Sequence, residues 1–308
     1  MKTSPRLPVL ALAAGLLVPG LGQAYAGALA RGLGVLLSIS LLPPVTCQLA
    51  LIAPVGLMSL IVWLGVLAGV GLYAWSVRDA WRCARRADQE WRPWQRPLVY
   101  VLAALIAYVF VLAPFTAYAR HNLIETFQAP TASMLPTIVP GDRFLADKRV
   151  NRPGGIPLAR GQVALFVYPN NRTMIFVKRI IGLPGDSIEI DGTSIRVNGR
   201  DLHGPEVQDL GDPLRNQLLA DHSAFRESGD RGSYTVLWKK DAAAAGKQIF
   251  VVPNAQIFVL GDNRGASVDS REFGMVPVAD VKAVARQVLL SYRAGEGLRW
   301  SRMGKTIE

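Results

Sequence analysis

Residues 174–181 read MIFVKRII, an apolar run that contains one lysine and one arginine. β-Branched and aromatic residues dominate the run, and this composition is typical of a β-strand. Because side chains alternate between the two faces of a strand, Lys178 shares a face with Phe176 and Ile180. Arg179 lies on the opposite face. The run therefore predicts a strand that holds one lysine among apolar side chains.

Short runs of the same kind occur on both sides of this strand, separated by Pro, Gly, Asn and Asp. They cover residues 162–168, 187–197, 233–237, 248–252 and 256–260. Helical periodicity is weak from residue 144 onward. The second part of the chain is therefore predicted to be an all-β domain, and the chain as a whole to be mainly β.

The first 120 residues differ, because apolar residues are concentrated there. A helix needs about 20 apolar residues to cross ~30 Å of hydrocarbon. Residues 98–118 form an uncharged run of that length. Residues 33–53 and 55–77 form two more, with Pro54 and Gly56 marking a turn between them. We expect three transmembrane helices, two in residues 33–77 and one in residues 98–118, that together make a multi-span α-helical anchor.

The arginines predict the orientation of this anchor. Residues 78–97 hold six arginines and three acidic residues. Short loops rich in Arg and Lys stay on the cytoplasmic side of a membrane. We therefore expect a basic cytoplasmic loop at 78–97 and an outer domain at 119–308. In a bacterium with two membranes this is a multi-pass protein of the inner (cytoplasmic) membrane, with its β domain in the periplasm.

The first 32 residues have the pattern of a cleavable export signal. Lys2 and Arg6 precede an apolar stretch, and residues 24–26 (AYA) precede Gly27. Cleavage there would place the arginine loop outside, against the positive-inside rule. Residues 1–32 are therefore predicted to be a retained segment, re-entrant or membrane-associated, that is broken by proline and glycine.

Charge and composition exclude some partners. The net charge of +11 comes from 9 basic and 3 acidic residues up to position 97, and from 25 and 20 after it. No basic block is dense enough to predict nucleic-acid binding. Four basic residues soon after the last apolar run suit either membrane phospholipids or a solvated surface, and both interpretations stay open. They are Arg143, Lys148, Arg149 and Arg152.

Cysteine and histidine limit the chemistry of the outer domain. Cys47 and Cys83 both precede it, so neither a disulfide nor a thiolate site is expected there. His121, His203 and His222 each stand alone, without the spacing of metal ligands. We expect no metal and no cofactor, and a Ser-His-Asp arrangement has little support.

A serine occupies a proline-bounded loop, since residues 130–137 read PTASMLPT. A serine hydroxyl becomes a good nucleophile when a base removes its proton, and a lysine can act as that base only when it is neutral. Burial in a dry site lowers the pKa of a lysine by roughly 2 units or more from ~10.4. Lys178 is the candidate base for Ser133, because Arg179 stays protonated.

Three blocks of sequence follow the last apolar run. They are residues 130–137 (PTASMLPT), 176–186 (FVKRIIGLPGD) and 261–271 (GDNRGASVDSR). Over residues 98–290 the chain resembles bacterial type I signal peptidase, the membrane-bound serine protease that removes signal peptides from exported proteins. The substrates implied are signal-peptide-bearing preproteins.

This resemblance implies roles for individual residues. Ser133 would attack the scissile carbonyl and Lys178 would be the general base, with Ser267 orienting the lysine. The oxyanion hole would combine the backbone N–H of Ser133 with the hydroxyl of Thr131, where relatives often have serine. Threonine keeps the hydroxyl, and its methyl group limits the rotamers.

The family also has ion pairs that support the lysine. By position, Asp269 with Arg271 and Asp262 with Arg179 are the candidates. The chain departs from the family pattern at residues 265–266 (GA), where many relatives carry Asp-Asn. This departure changes the turn but removes no catalytic group.

The implied fold is a coiled β-sheet core with a smaller β-extension, expected here at residues 198–247. Family members accept small side chains at the first and third positions before the cut. The candidate pocket residues are Met134, Phe176 and Val177, and core packing is an equal alternative for each. The candidate membrane-contacting rim consists of Phe127, Leu135 and Ile138.

Other functions stay open at this stage. A dedicated peptidase for pilin-type precursors would use the same serine and lysine. A non-catalytic membrane receptor for signal peptides would not need intact Ser133, Lys178 and Ser267. The soluble repressor autoproteases share a serine and lysine dyad, but they carry a DNA-binding domain where this chain has apolar runs.

Overall fold

Helices dominate the first of two units, Met1–His121, and strands dominate the second, Asn122–Glu308. The computed structural model describes residues 7–86, 99, 102, 105, 106, 108–150, 155–211, 213–240 and 246–307. The helices of the first unit are α1 (Pro8–Leu17), α2 (Leu21–Tyr25), α3 (Leu29–Ile52), α4 (Met58–Arg86), a π-helical turn (Tyr108–Leu112) and α5 (Ala113–Asn122).

Two segments among the described residues are long and apolar enough to cross a membrane. They are Leu29–Ile52 and Val55–Arg86, and the most apolar 18-residue stretches within them have mean hydropathies of 2.0 and 2.3. Both predicted helices of residues 33–77 are thus present, joined by a 3-10 turn at Val55–Leu57. The third predicted span, residues 98–118, lies partly outside the described residues.

The predicted basic loop differs from the structure in its first part. Helix α4 continues to Arg86, so residues 78–86 are helical, while residues 87–97 lie outside the described part of the chain. Arginine has a high helix propensity, and nothing in this stretch breaks a helix. A cluster of arginines predicts where a membrane helix would leave the hydrocarbon. It does not predict where the helix itself ends.

The N-terminal helices pack closely on the long ones. Gly20 adopts φ +90° and ends the break between α1 and α2. A Cβ on Gly22 would lie 2.2 Å from the carbonyl oxygen of Ala11, so only glycine permits this approach. Gln23 is fully buried and donates to the Ser76 carbonyl oxygen at 2.8 Å, which ties α2 to α4.

The second unit contains fifteen strands among its described residues, all paired antiparallel. In chain order they are β1 (Ile124–Gln128), β2 (Asp142–Asp147), β3 (Val163–Val167), β4 (Ile175–Gly182), β5 (Ser187–Asp191), β6 (Ser194–Val197), β7 (Arg200–Asp201), β8 (His203–Glu206), β9 (His222–Ser228), β10 (Ser233–Lys239), β11 (Gln248–Val251), β12 (Gln256–Leu260), β13 (Val276–Pro277), β14 (Val281–Arg293) and β15 (Gly297–Leu298).

Short helices complete this unit. They are α6 (Pro213–Asn216), α7 (Ser270–Phe273) and 3-10 turns at Gln217–Ala220, Val278–Asp280 and Trp300–Arg302.

The main sheet carries the candidate site residues. Its strand order is β1-β2-β14-β3-β4-β12-β13, and β15 pairs with β14. Strand β4 therefore lies between β3 and β12, with Lys178 opposite Ala164 and Arg179 opposite both Val163 and Leu260. Apolar side chains cover both faces of these strands, so β4 is buried from Lys178 to Gly182, while its first three residues are exposed or half-buried.

The inserted part of the domain is larger than predicted. The chain leaves the main sheet after Gly182 and rejoins it at Gln256, and between these points it forms two small sheets, β11-β5-β6-β7 and β10-β9-β8. The prediction of 198–247 was too narrow because residues 187–197 are a hairpin, not one strand. Gly192, at φ +57°, makes the turn.

Candidate active site

The proline-bounded loop is anchored by an apolar side chain. Met134 is 4% exposed and packs in a core cluster with Ile138 and Phe144. The Leu135–Pro136 peptide bond is cis. Ser133, between the exposed start of the loop and this anchor, is half-buried, and its Oγ lies 3.2 Å from Thr131 Oγ1. The loop thus presents two hydroxyl groups side by side.

Lys178 is buried on β4, with only 3% of its surface exposed. Its Nζ donates a hydrogen bond to Ser267 Oγ at 2.9 Å. Burial lowers the pKa of Lys178 to about 8, because the ammonium loses its hydration, while the charges of Asp269 and Asp262 oppose this shift. The lysine is therefore far closer to neutrality at pH 7 than an exposed lysine.

The third sequence block joins the serine loop to the lysine. The backbone N–H of Asn263 donates to the Ser133 carbonyl oxygen at 3.1 Å, and its side chain donates to the Ala132 carbonyl oxygen at 3.3 Å. Ser267, a few residues later, bonds Lys178. One short segment thus contacts both the candidate nucleophile and the candidate base.

Gly261 lies where these groups meet. A Cβ on this residue would lie 2.1 Å from Ser267 Oγ and 2.6 Å from the Ser133 carbonyl oxygen. Both distances are shorter than non-bonded atoms allow, so the site requires glycine here. The sequence indicated a turn at Gly261 but not this close approach, which depends on residues distant in the chain.

Two ion pairs surround the lysine. Arg179 and Asp262 are fully buried and share two hydrogen bonds, at 2.7 and 2.6 Å. Arg271 bonds Asp269 at 2.8 and 2.9 Å. Burial alone would raise the pKa of Asp269, but Arg271 and the Gly261 N–H, at 3.0 Å from the carboxylate, bring it below its ordinary value. Asp269 therefore stays charged beside the site.

A third buried pair was not anticipated from the sequence. Arg264 bonds Glu227 of β9 at 2.8 and 2.6 Å, and both side chains are almost completely buried. Arg264 also donates to the Gly261 carbonyl oxygen at 3.0 Å. No local signal connects the two residues, because Glu227 belongs to the insertion and Arg264 to the third block.

The candidate pocket residues have different environments. Phe176 is half-buried and stacks on Tyr168, with ring centroids 4.1 Å apart. Val177 is half-buried and packs against the cluster that contains Met134. Met134 itself is part of the core, so any contact of its side chain with a ligand is limited to its small exposed fraction.

The predicted membrane-contacting rim is wrong for one of its three residues. Ile138 is fully buried, because its apolar side chain packs in the core cluster that contains Phe144. Phe127 and Leu135 are half-buried. Phe127 stacks on Phe144 with a centroid distance of 6.4 Å.

The site therefore combines a hydroxyl, a buried amine and hydrogen-bond donors. The Ser133 side chain bonds Thr131, and the Lys178 side chain bonds Ser267. In enzymes without substrate, catalytic hydrogen bonds are often long and tighten only in the reacting complex. A serine whose proton passes to a lysine is the chemistry that these groups can perform.

Comparison with known proteins identifies the family of this chain. The family model for signal peptidase, peptidase S26, matches residues 100–290. Signal peptidase I of Buchnera aphidicola (subsp. Baizongia pistaciae) is 27% identical over 244 residues, which cover 60% of this chain and 77% of that protein. Signal peptidase IB of Staphylococcus aureus is 28% identical over 183 residues, covering 58% and 82%.

A crystal structure of signal peptidase I from Enterococcus faecalis is also similar, at 28% sequence identity. The matched region covers 44% of this chain and 97% of the Enterococcus faecalis chain, with a TM-score of 0.26. The family match spans more than half of the residues and includes all three sequence blocks. The chain belongs to the signal peptidase family, peptidase S26.

Proposed function

We propose that this chain is a membrane-bound serine endopeptidase that cleaves N-terminal signal peptides from exported preproteins, with Ser133 as nucleophile and Lys178 as general base. One observation carries the mechanism: Lys178 is 3% exposed, and its pKa is lowered to about 8 by burial. Family membership supports the substrate class. No metal or cofactor takes part in this mechanism.

The reaction has two steps. Ser133 Oγ attacks the scissile carbonyl carbon while its proton passes to Lys178 Nζ, and the N–H of Ser133 and the Thr131 hydroxyl stabilise the oxyanion. As the intermediate collapses, the Lys178 ammonium protonates the leaving amine, and an acyl-enzyme remains. Lys178 then removes a proton from water, which attacks the ester, and as this second intermediate collapses the Lys178 ammonium returns the proton to Ser133 Oγ and the carboxylic acid product leaves.

The surrounding groups position the two reactants. Ser267 holds Lys178 Nζ by the 2.9 Å hydrogen bond, and this contact orients the amine. The pairs Arg179–Asp262 and Asp269–Arg271 support the strand and the turn that carry these residues. Removing one partner of such a pair leaves an uncompensated buried charge.

The substrate pocket is formed in this proposal by Phe176, Val177 and the exposed edge of Met134. The half-burial of Phe176 and Val177 on the strand of Lys178 supports it. Walls of this size favour small side chains before the cleavage site.

The proposed organisation is a multi-pass anchor in the bacterial inner membrane. Residues 1–32 are a retained segment, 33–77 and 98–118 supply three spans, 78–97 face the cytoplasm, and the peptidase domain from residue 119 lies on the outer face. The arginines of residues 78–97 support this orientation. The buried hydrogen bond of Gln23 supports retention of the first segment, and membrane phospholipids surround the spans.

The test is cleavage of a purified preprotein with an Ala-x-Ala site by the full-length protein in detergent. Wild type cleaves after the second alanine, and Ser133→Ala and Lys178→Met are inactive. Ser228→Ala and Lys282→Met are matched controls at exposed positions and retain wild-type activity. Cleavage by either active-site variant overturns the mechanism. An inactive wild type, with the preprotein still bound, indicates a non-catalytic receptor instead.

A further inference from the structure

A small cavity opens at the surface of the β domain, and no residue of the three sequence blocks lines it. It has a volume of about 20 Å³ and lies between the turn before β3, the β9–β10 turn, β14 and the C-terminal segment. Arg160, Arg231 and Arg286 line it, and no Asp or Glu is among its described lining residues, although carboxylates outside the lining pair with Arg160 and Arg286. Its lining therefore has the composition of an anion site.

A buried donor without a partner lies in the same lining. Gln162 is 6% exposed, and its Oε1 accepts a hydrogen bond from the Ala159 N–H at 3.0 Å. This bond identifies the other terminal atom as the nitrogen. Nε2 is buried and has no hydrogen-bond partner among the described residues. Because an unsatisfied buried donor is unfavourable, the site lacks an acceptor.

The three arginines differ in the ion pairs that they form. Arg160 bonds Asp186 at 2.7 Å and contacts Asp230 at 3.4 Å. Arg286 lies 3.8 Å from Asp147. Arg231, in the β9–β10 turn, is exposed and makes no ion pair within the described parts of the chain. Its guanidinium is thus available to a ligand at the mouth of the cavity.

We propose that this cavity binds an oxyanion of the phosphate class through Gln162 Nε2 and the guanidinium of Arg231. The volume admits little more than one oxygen atom, so one oxygen enters to accept from Gln162 while the others stay at the open side. Arginine pairs well with such groups, because its planar donors match two oxygens at once. Free phosphate and the phosphodiester of a lipid headgroup share this chemistry.

The site is near the catalytic strand but separate from the catalytic groups. Gly161, beside Gln162, accepts a hydrogen bond from Arg179 through its carbonyl oxygen. The Tyr234 ring lines the cavity and stacks under the Arg179 guanidinium at 3.9 Å. The proposal does not depend on the peptidase mechanism, since it rests on none of the reacting residues.

The test is a calorimetric titration of inorganic phosphate into the full-length protein in a phosphate-free maltoside detergent, with sodium chloride at matched ionic strength as the blank. Gln162→Glu keeps the acceptor for Ala159 but replaces the donor, and Arg231→Gln removes the exposed charge. We expect saturable binding by wild type. The affinity of each variant for phosphate should be lower by about tenfold or more. Arg226→Gln, an exposed arginine of β9 outside the cavity, is the matched control and binds like wild type.

Two outcomes overturn the proposal. Absence of saturable binding by wild type shows that water alone fills the cavity. Equal affinity of wild type, Arg231→Gln and Arg226→Gln places the anion elsewhere, and this comparison holds even if Gln162→Glu fails to fold. The titration is repeated in phosphatidylglycerol nanodiscs to separate the two sources. If wild type then binds phosphate more weakly and Arg231→Gln shows no such loss, a lipid headgroup occupies the site. If the affinity of wild type is unchanged, the ligand is free phosphate.

Discussion

Glu227 and Arg264 form a buried ion pair with two hydrogen bonds, at 2.8 and 2.6 Å, that joins the insertion to the third sequence block. Two backbone bonds reinforce the junction, since the N–H of Leu237 donates to the Asp262 carbonyl oxygen and the N–H of Arg264 donates to the Leu237 carbonyl oxygen, each at 2.8 Å. The turn that carries Ser267 is therefore held partly by the insertion.

We predict that Glu227→Gln destabilises the protein by about 3–5 kcal/mol, because it leaves the buried Arg264 guanidinium without a compensating charge. Thermal or urea unfolding of the β domain, followed with preprotein cleavage, measures this. Glu189→Gln makes the same change in an ion pair with the more exposed Lys247, and should lower the stability far less, because solvent screens exposed pairs. Equal effects of the two substitutions would contradict a supporting role for Glu227.

Local sequence patterns predicted the strands whose side chains alternate simply. Residues 256–260 and 174–181 correspond closely to β12 and β4, because each is a short apolar run between turn residues. Strand β14 was not predicted, although it is the longest described strand. Its register shifts and the polar Arg286 and Gln287 interrupt the alternation on which the prediction depends.

Other features depend on contacts that no local pattern records. The insertion was placed too late in the chain, although the Asp191-Gly192 pair is a recognisable hairpin signal. Ile138 was assigned to a membrane-contacting rim near the candidate nucleophile, whereas its side chain is completely buried in the core. The partner of Arg264 could not be identified, since the pairing brings together residues far apart in sequence.

Gly261→Ala is predicted to reduce cleavage by at least about 100-fold, because a misplacement near 1 Å in a catalytic group has an effect of that size. The added Cβ would overlap Ser267 Oγ and the Ser133 carbonyl oxygen, so the loop and the turn must separate. Steady-state kinetics on the preprotein measures the loss. Gly246→Ala is the control, because no atom of the described residues lies within 4 Å of its Cβ position. Retained activity in Gly261→Ala would show that the site tolerates separation of Ser133 and Ser267.

Thr131 offers a matched pair of substitutions. Thr131→Val removes the hydroxyl and keeps the shape, while Thr131→Ser removes the methyl and keeps the hydroxyl. If the hydroxyl, 3.2 Å from Ser133 Oγ, stabilises the oxyanion, Thr131→Val lowers kcat by about 100- to 1,000-fold with KM nearly unchanged. Thr131→Ser stays within a few-fold of wild type. Similar losses in both variants would assign Thr131 to packing.

The pH dependence of cleavage reports on Lys178. A base with a pKa of about 8 is mostly protonated below that pH, so kcat/KM should rise about tenfold per pH unit up to pH 8 and then level off. Lys178→Arg should be inactive at every pH, since arginine does not deprotonate. A profile that is flat between pH 6 and 9 would exclude Lys178 as the titrating base.

The same pKa predicts an effect on stability, and its sign follows from proton counting. Between the folded pKa of about 8 and the ordinary value of 10.5, the unfolded chain binds more protons at Lys178 than the folded protein. Stability therefore rises with pH across this window, by about 3 kcal/mol from this residue. In Lys178→Met that contribution is absent, so the difference in unfolding free energy between variant and wild type should shrink as the pH increases from 8 to 10.5. A constant difference would mean that Lys178 has an ordinary pKa in the folded protein, and the base would then need another means of losing its proton.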